Sequence, residues 1–199
     1  MKRKIIFASS NPGKINELQS LLDEFDYEVV PQAHLGIDDA DETGLTFVEN
    51  ALLKARHACQ HSGKPAIADD SGLVVQALDG APGIYSARYA GKNSHPRANI
   101  EKLLKEMEEV PNEYRQAHFH CTLVYMEHAE DPAPIICEGV WQGVILHLPV
   151  GEGGFGYDPV FYDLKEQSSA AELSPVRKNQ ISHRGQALRA LVNKLERIK

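Results

Sequence analysis

The apolar residues near the start of the chain predict a strand followed by a helix. Residues 5–8 form a short apolar run that is typical of a buried strand. After a turn at residues 9–14, the apolar residues Ile15, Leu18, Leu21 and Leu22 share one helical face. Asn11 can cap that helix, and Pro12 suits its first position.

A second helix and two further strands are predicted in the next segment. Thr46 and Glu49 have the spacing of a capping box, and an apolar helical face follows them. Residues 65–68 form an apolar run that predicts a strand, and the polar residues 69–72 are expected to end it. A separate strand is predicted over residues 73–78.

The second half of the chain is richer in predicted strands. A third helix is predicted from the spacing of Ile100, Leu103, Leu104 and Met107. Two antiparallel strands follow over residues 117–126 and 135–145, and Ser174 and Pro175 begin a last helix whose apolar face continues to Leu195. Because no repeat or long linker interrupts this pattern, residues 1–199 are predicted to form a single α/β domain of two lobes.

Composition and charge narrow the classes of protein. The 199 residues are 42% hydrophobic and 25% charged, which is ordinary for a globular chain. A formal net charge of -7 argues against binding a nucleic acid polymer. No stretch approaches the ~20 apolar residues of a membrane span, and the apolar run at the start is too short for a signal peptide. Three scattered cysteines without a C-x-x-C pair indicate reduced thiols, so we expect a cytoplasmic protein.

Three places in the first half of the chain could carry chemistry. The helix start at residues 9–14, with Lys14, could bind a phosphate group or could be a plain turn. Asp69 and Asp70 follow a predicted strand and could hold Mg²⁺ together with substrate phosphates, or could form an Asx turn. The acidic residues 38–42 could supply a second metal-binding carboxylate or could be an exposed loop.

Two places in the second half could recognise a nucleotide. Residues 151–159 contain G-x-G-x-x-G, but the residues after it are strand-like, so a dinucleotide-binding helix is not expected. Phe155 or Tyr157 beside these glycines could stack on a flat base, or the segment could be a hinge with core aromatics. Three cationic side chains follow near the end of the chain, namely Lys178, His183 and Arg184. They could face a phosphate or a purine carbonyl, or they could belong to an ordinary basic helix.

Six blocks occur together and in one order. They are Ser9-x-Asn11-x-x-Lys14, Glu42-Thr43-Gly44-x-Thr46-Phe47-x-Glu49-Asn50-Ala51, Ala68-Asp69-Asp70-Ser71-Gly72-Leu73, Gly80-Ala81-Pro82-Gly83-Ile84-Tyr85-Ser86-Ala87-Arg88-Tyr89, Gly153-Gly154-Phe155-Gly156-Tyr157-Asp158-Pro159 and Ser182-His183-Arg184-Gly185. With these blocks the chain, from Lys4 to Leu195, resembles the inosine triphosphate pyrophosphatase family, also called the Ham1 or RdgB family. Each block alone is weak, but the ordered set is specific.

The resemblance implies an elongated mixed β-sheet flanked by helices, with two lobes and a central nucleotide cleft, a fold related to that of Maf proteins. It implies Mg²⁺-dependent hydrolysis of ITP, dITP and XTP to the monophosphate and pyrophosphate, which prevents their incorporation into DNA and RNA. It also implies a homodimer.

The same resemblance implies roles for individual residues. The residues that it implies bind the triphosphate are Ser9, Ser10, Asn11, Pro12, Gly13 and Lys14. Asp70 becomes the catalytic carboxylate and a Mg²⁺ ligand, with Asp41 or Glu42 as the second metal ligand. The contacts to phosphate, sugar and base fall to Ser71, Phe155, Gly156, Tyr157, Asp158, Lys178, His183 and Arg184.

Two other functions stay open. A Maf-like pyrophosphatase would act on other modified nucleotides, although the blocks at residues 155–158 and 182–184 argue against it. A non-enzymatic nucleotide sensor would bind its ligand tightly without Mg²⁺-dependent turnover.

Overall fold

The computed structural model describes residues 3–22, 27–92 and 94–197, except that the side chain of Leu21 lies outside the description. The strands are β1 (Arg3–Phe7), β2 (Tyr27–Pro31), β3 (Ala66–Val75), β4 (Gln116–Met126), β5 (Ile135–Ile145), β6 (Phe161–Asp163) and β7 (Ser168–Ser169). The α-helices are α1 (Pro12–Leu22), α2 (Phe47–Ser62), α3 (Pro96–Glu106), α4 (Pro175–Ile181) and α5 (His183–Glu196). Short 3₁₀ helices cover Gln32–Leu35, Gln76–Leu78, Gly83–Arg88, Asn112–Tyr114 and Asp158–Val160.

The strands form one mixed sheet in the order β2-β1-β3-β4-β5-β6-β7. β1 is parallel to both β2 and β3, whereas β6 is antiparallel to both β5 and β7. The prediction of a mixed α/β sheet flanked by helices is therefore confirmed.

Two compact units divide the chain, and the first contains residues up to Asp70, Cys121–Gly139 and residues from Gln186 onward. β1 buries both of its faces, as successive side chains of a strand point to opposite sides. On one side Ile5 and Phe7 pack with Leu18 of α1 and with apolar residues of α5. On the other side Ile6 packs with the alanines of α2, whose small side chains line that face of the helix.

The second unit contains residues Ser71–His120 and Val140–Gly185. Its core joins Leu73 of β3, Leu103 of α3, Phe119 of β4, Trp141 of β5 and Phe161 of β6. The Trp141 indole donates a 2.6 Å hydrogen bond from Nε1 to the buried carboxylate of Asp163. This bond satisfies the polar atom of a side chain that is otherwise packed among apolar neighbours.

Three predictions about element boundaries are wrong. β3 continues through residues 69–72 as one strand, because it lies between β1 and β4 in the sheet and its buried carboxylates have cationic partners. Residues 76–78 form a 3₁₀ helix rather than the end of a strand. The residues after the G-x-G-x-x-G motif were expected to be strand-like, but Asp158–Val160 form a 3₁₀ turn before β6.

The last predicted helix is two helices. Ser174 caps α4, as predicted, but Ser182 adopts an extended conformation that ends it. The Ser182 hydroxyl then accepts a hydrogen bond from Gly185 N, which gives the second helix its own cap. Within the residues that the structure describes, no helix is both long and apolar enough to cross a membrane.

Candidate active site

β1 ends beside the first half of β3, which brings the first and third sequence blocks close together. Ile6 and Phe7 pair with Ala66 and Ile67, so the segment after β1 starts beside the part of β3 that carries Asp69 and Asp70. Open α/β sheets commonly place ligands beyond the carboxyl ends of their strands, which is where the segment after β1 lies. The Lys14 ammonium of α1 pairs with Asp69 there, with Nζ 2.8 Å from Oδ2.

Asp70 shares a lysine with Glu42. The Nζ atom of Lys54, which lies in the second turn of α2, is 2.9 Å from Asp70 Oδ1 and 2.9 Å from Glu42 Oε1. The other Asp70 oxygen accepts a 3.3 Å hydrogen bond from the amide of Asn50. Two carboxylates thus converge on a single positive charge in a largely buried setting.

Burial and charge act in opposite directions in this cluster. Burial raises the pKa of Asp70, and the attraction of Lys54 offsets only part of that rise. Burial lowers the pKa of Lys54, but Asp69, Asp70 and Glu42 together outweigh it, so the net shift is upward. The ammonium group is therefore held in its charged form.

The segment after β1 is ordered by its own side chains. The Asn11 carboxamide oxygen accepts from Gly13 N at 2.9 Å and from Lys14 N at 3.3 Å, which confirms its prediction as the cap of α1. The Ser9 hydroxyl accepts from Asn11 N, and the Ser10 hydroxyl donates to Asp39 at 3.1 Å. Pro12 begins the helix, as expected.

In the second unit, the loop before β6 carries an exposed aromatic ring beside two cations. The ring of Phe155 is 42% exposed, with Lys178 Nζ 4.6 Å and Arg184 Cζ 5.6 Å from its centroid. Arg184 also donates to the Ser71 hydroxyl at 3.2 Å. His183 is buried and stacks at 4.8 Å on Phe119.

Asp158 fixes the shape of this loop. Its Oδ2 accepts from Phe155 N at 2.7 Å and from Lys178 Nζ at 2.5 Å. Gly154 has φ +72°, and a Cβ there would lie 2.1 Å from the same oxygen, so the turn requires glycine. Gly156 also has positive φ, whereas Tyr157 is buried and donates its hydroxyl to Ser86 O.

The donor chemistry of the Glu42 and Asp70 pair fits a magnesium ion. Within residues 3–22, 27–92 and 94–197, no three His, Cys, Asp or Glu side chains form a metal-binding group. Mg²⁺ is nevertheless commonly held by one or two carboxylates together with substrate phosphates. Asp41, the alternative second ligand, is exposed, and Glu42 is the residue whose carboxylate meets Lys54.

Comparison with known proteins identifies the family of this chain. The model of the Ham1 family matches residues 5–194. This chain belongs to the Ham1 family. It is 58% identical over 193 residues to the dITP/XTP pyrophosphatase of Pectobacterium atrosepticum, covering 97% of this chain and 98% of that protein. The Escherichia coli K12 dITP/XTP pyrophosphatase is 56% identical with the same coverage.

A solved Ham1 structure has the same fold as this chain. The HAM1 protein from Coxiella burnetii superposes with a TM-score of 0.93 at 50% identity, covering 98% of this chain and 99% of that one. The fold expected from the sequence blocks is therefore that of solved Ham1 proteins.

Two polar residues that contact Asp70 have no role in the sequence-based expectations. Asn50 and Lys54 lie four residues apart in α2 and both contact Asp70. The sequence does contain a signal, because these two polar residues interrupt the face that carries Ala51, Ala55 and Ala58. Side chains four residues apart on a helix share a face, so a polar pair among buried alanines indicates a buried polar partner.

Proposed function

We propose that the chain hydrolyses noncanonical purine nucleoside triphosphates, namely dITP, XTP and ITP, to the monophosphate and pyrophosphate. This reaction would keep these nucleotides out of DNA and RNA. The observation that carries the proposal is the convergence of Glu42 and Asp70 on one cation, on the part of β3 that follows its pairing with the end of β1. The names of the relatives, matched over 97% of the chain, support the substrate class.

The proposal includes Mg²⁺, with Glu42 and Asp70 as its protein ligands. When bound, the ion would neutralise charge on the phosphate oxygens. Support comes from the hard oxygen donors and from the ammonium of Lys54, which already places a positive charge between them. Asp41 is kept as the alternative to Glu42.

Asp70 is the proposed catalytic carboxylate. Its ion pair with Lys54 favours the ionised form, and burial raises its pKa, which makes the carboxylate a stronger base. It can therefore orient or deprotonate an attacking water. Residues 9–14 are proposed to bind the triphosphate, with Lys14 supplying charge and the start of α1 supplying backbone N–H groups.

The cluster in the second unit is proposed to bind base, sugar and phosphate. Phe155 is the exposed ring and is proposed to stack on the base, while Tyr157 supports the loop from within the core. Donors from Lys178, His183 and Arg184 would pair with the 6-carbonyl of hypoxanthine or xanthine. Adenine has an amine there, and leaving buried donors unpaired typically costs ~1–3 kcal/mol. The remaining members of the proposed contact set are Ser71, Gly156 and Asp158.

Three further expectations stay predictions. The homodimer rests on the resemblance alone, the cytoplasmic location rests on composition, and the single two-lobed domain rests on the sequence pattern.

The test is release of pyrophosphate in the presence of Mg²⁺. ITP, XTP and dITP are compared with ATP, GTP and dTTP at mildly alkaline pH. We expect strong release from the first three and weak release from ATP and dTTP. Because guanine also has a 6-carbonyl, rejection of GTP would require contacts elsewhere on the base. Release from dTTP alone would favour a Maf-like activity, and tight nucleotide binding without release from any of the six would favour a sensor.

A further inference from the structure

Asn50 is a fully buried amide with no role in the proposed chemistry so far. It lies in the first turn of α2 with 0% of its surface exposed, next to the buried Ala51. A buried carboxamide is costly unless its donor and its acceptor are both used.

Both ends of the Asn50 amide are used, and each contacts a different part of the site. Its Nδ2 donates to Asp70 Oδ2 at 3.3 Å, and its Oδ1 accepts from Gly44 N at 2.8 Å. A carboxylate can only accept and a backbone N–H can only donate, so the orientation of the amide is determined. The side chain thus connects Asp70 to the segment that follows Glu42.

The contact to Asp70 fixes the rotation of its carboxylate. Oδ2 faces Asn50, so Oδ1 faces Lys54, whose Nζ also reaches Glu42. Without the amide, the plane of the carboxylate could rotate about the Cβ–Cγ bond. Asn50 therefore holds the carboxylate plane in the orientation that points one oxygen toward Lys54.

The contact to Gly44 belongs to a wider attachment of the same segment. Leu45 N and the Thr46 hydroxyl both donate to Glu49 Oε2, at 2.9 and 2.8 Å, in the predicted capping box. These bonds hold residues 44–46 on the first turn of α2, and Glu42 lies only two residues before them. The position of Glu42 is therefore tied to the same turn of helix that holds Asp70.

Gly44 permits the close approach. A Cβ at this position would lie 2.8 Å from Asn50 Oδ1 and 2.6 Å from Glu49 Cβ, closer than real side chains come. Any larger residue would push the segment away from Asn50. This explains the glycine in the second sequence block by packing and not by backbone freedom.

We propose that Asn50 is a positioning residue that holds the Asp70 and Glu42 carboxylates in the relative geometry that a divalent cation requires. This inference rests on the proposed function, because it assumes that these two carboxylates bind the cation. Outer partners that orient metal ligands typically contribute about 10–100-fold in metal affinity or activity.

The experiment compares the wild type with Asn50→Leu, which preserves the size of the side chain but removes both hydrogen bonds. Gln60→Leu is the matched control, because it replaces an exposed amide on the same helix. Binding of Mn²⁺ to each protein without nucleotide is measured from the paramagnetic resonance signal of the free ion. The Mg²⁺ concentration for half-maximal pyrophosphate release, nucleotide affinity without metal, and the melting temperature are measured in parallel.

For Asn50→Leu we expect both metal constants to rise by about 10–100-fold while nucleotide affinity without metal stays unchanged. Gln60→Leu should behave as the wild type. A lower melting temperature with unchanged Mn²⁺ binding would show a purely structural role and overturn the inference. If Asn50→Leu does not fold, Gly44→Ala breaks the same contact from the other side, and unchanged Mn²⁺ binding in that variant would also overturn it.

The wild-type measurements separate this inference from the proposed function. A wild type that hydrolyses the noncanonical nucleotides while Asn50→Leu keeps its metal dependence refutes the inference alone. A wild type that binds Mn²⁺ through Asn50-dependent geometry but releases no pyrophosphate refutes the proposed activity alone. A wild type that binds no Mn²⁺ without nucleotide refutes the inference, whereas the proposed activity is judged by pyrophosphate release alone.

Discussion

Replacing Lys54 with methionine tests whether the stability of the folded state depends on the buried ammonium between Glu42 and Asp70. The substitution preserves much of the apolar stem of the side chain but removes the ammonium that lies 2.9 Å from each carboxylate. Asp70 would then keep its burial without its strongest partner. We expect the folded state to lose stability because a buried charge is left uncompensated.

The expected loss of unfolding free energy follows from the exposure of the Lys54, Asp70 and Glu42 side chains. Breaking a buried pair by removing one partner typically costs about 3–5 kcal/mol. Lys54 and Asp70 side chains are 12% and 9% exposed, but that of Glu42 is 28% exposed and can be hydrated. We therefore expect the lower end, about 3 kcal/mol, which for a chain of this size corresponds to a fall in melting temperature of roughly 6–12 °C.

The pH dependence supplies a second check. Burial raises the folded-state pKa of Asp70 above 3.8, and removal of Lys54 should raise it further. A carboxyl whose pKa is raised by folding destabilises the folded state, and the cost is full above the raised pKa. The cost shrinks as the pH falls below the raised pKa, and it is gone below the pKa of the unfolded state. The deficit of Lys54→Met should therefore be full at pH 7 and shrink as the pH falls toward 4.

The assay is urea denaturation at several pH values with chelator present. Lys64→Met is the control, since it removes an exposed lysine near the end of α2, and it should change stability by less than ~0.5 kcal/mol. Combining Lys54→Met with Asp70→Asn should restore much of the loss. A deficit no larger than that of Lys64→Met, or one independent of pH, would refute the reasoning.

Three further predictions concern the chemistry, the second unit and the cysteines. Asp70→Asn should retain nucleotide binding but lose at least ~100-fold in turnover, and near-normal turnover would remove Asp70 from the mechanism. Trp141→Phe removes a hydrogen bond to the buried Asp163, whose pKa is lowered because the bonds from Trp141 and two backbone N–H groups outweigh its burial. Urea denaturation followed by circular dichroism should show a loss of about 1.5–3 kcal/mol above pH 4 that diminishes as Asp163 is protonated at lower pH; a constant loss would contradict this account. All three cysteines are buried, and burial raises the pKa of the Cys59 thiol to about 11, so a thiol reagent at pH 8 should label them only after denaturation; rapid labelling of the native protein would count against the structure.

The local chemistry of this sequence was sufficient to predict the helix starts. Asn11, Thr46 and Ser174 all cap the helices that their positions predict, because a cap involves only residues within about one turn. The burial of β1 on both faces was equally accessible, since a short run of apolar residues bounded by a turn is typical of such a strand.

Interactions between residues distant in sequence determine which side chains come together in the candidate site. Asp69 and Asp70 looked like the end of a strand because carboxylates are rarely buried alone, yet they continue β3 since Lys14 and Lys54 neutralise them. Asn50 and Lys54 gain their roles only when α2 packs beside β3, 16 to 20 residues away along the chain. Local patterns along the chain are enough to predict which residues begin helices, fill the core and carry the family blocks. Which charges meet depends on the folded arrangement, because the energy of a buried ion pair depends on distances and burial that no local pattern contains.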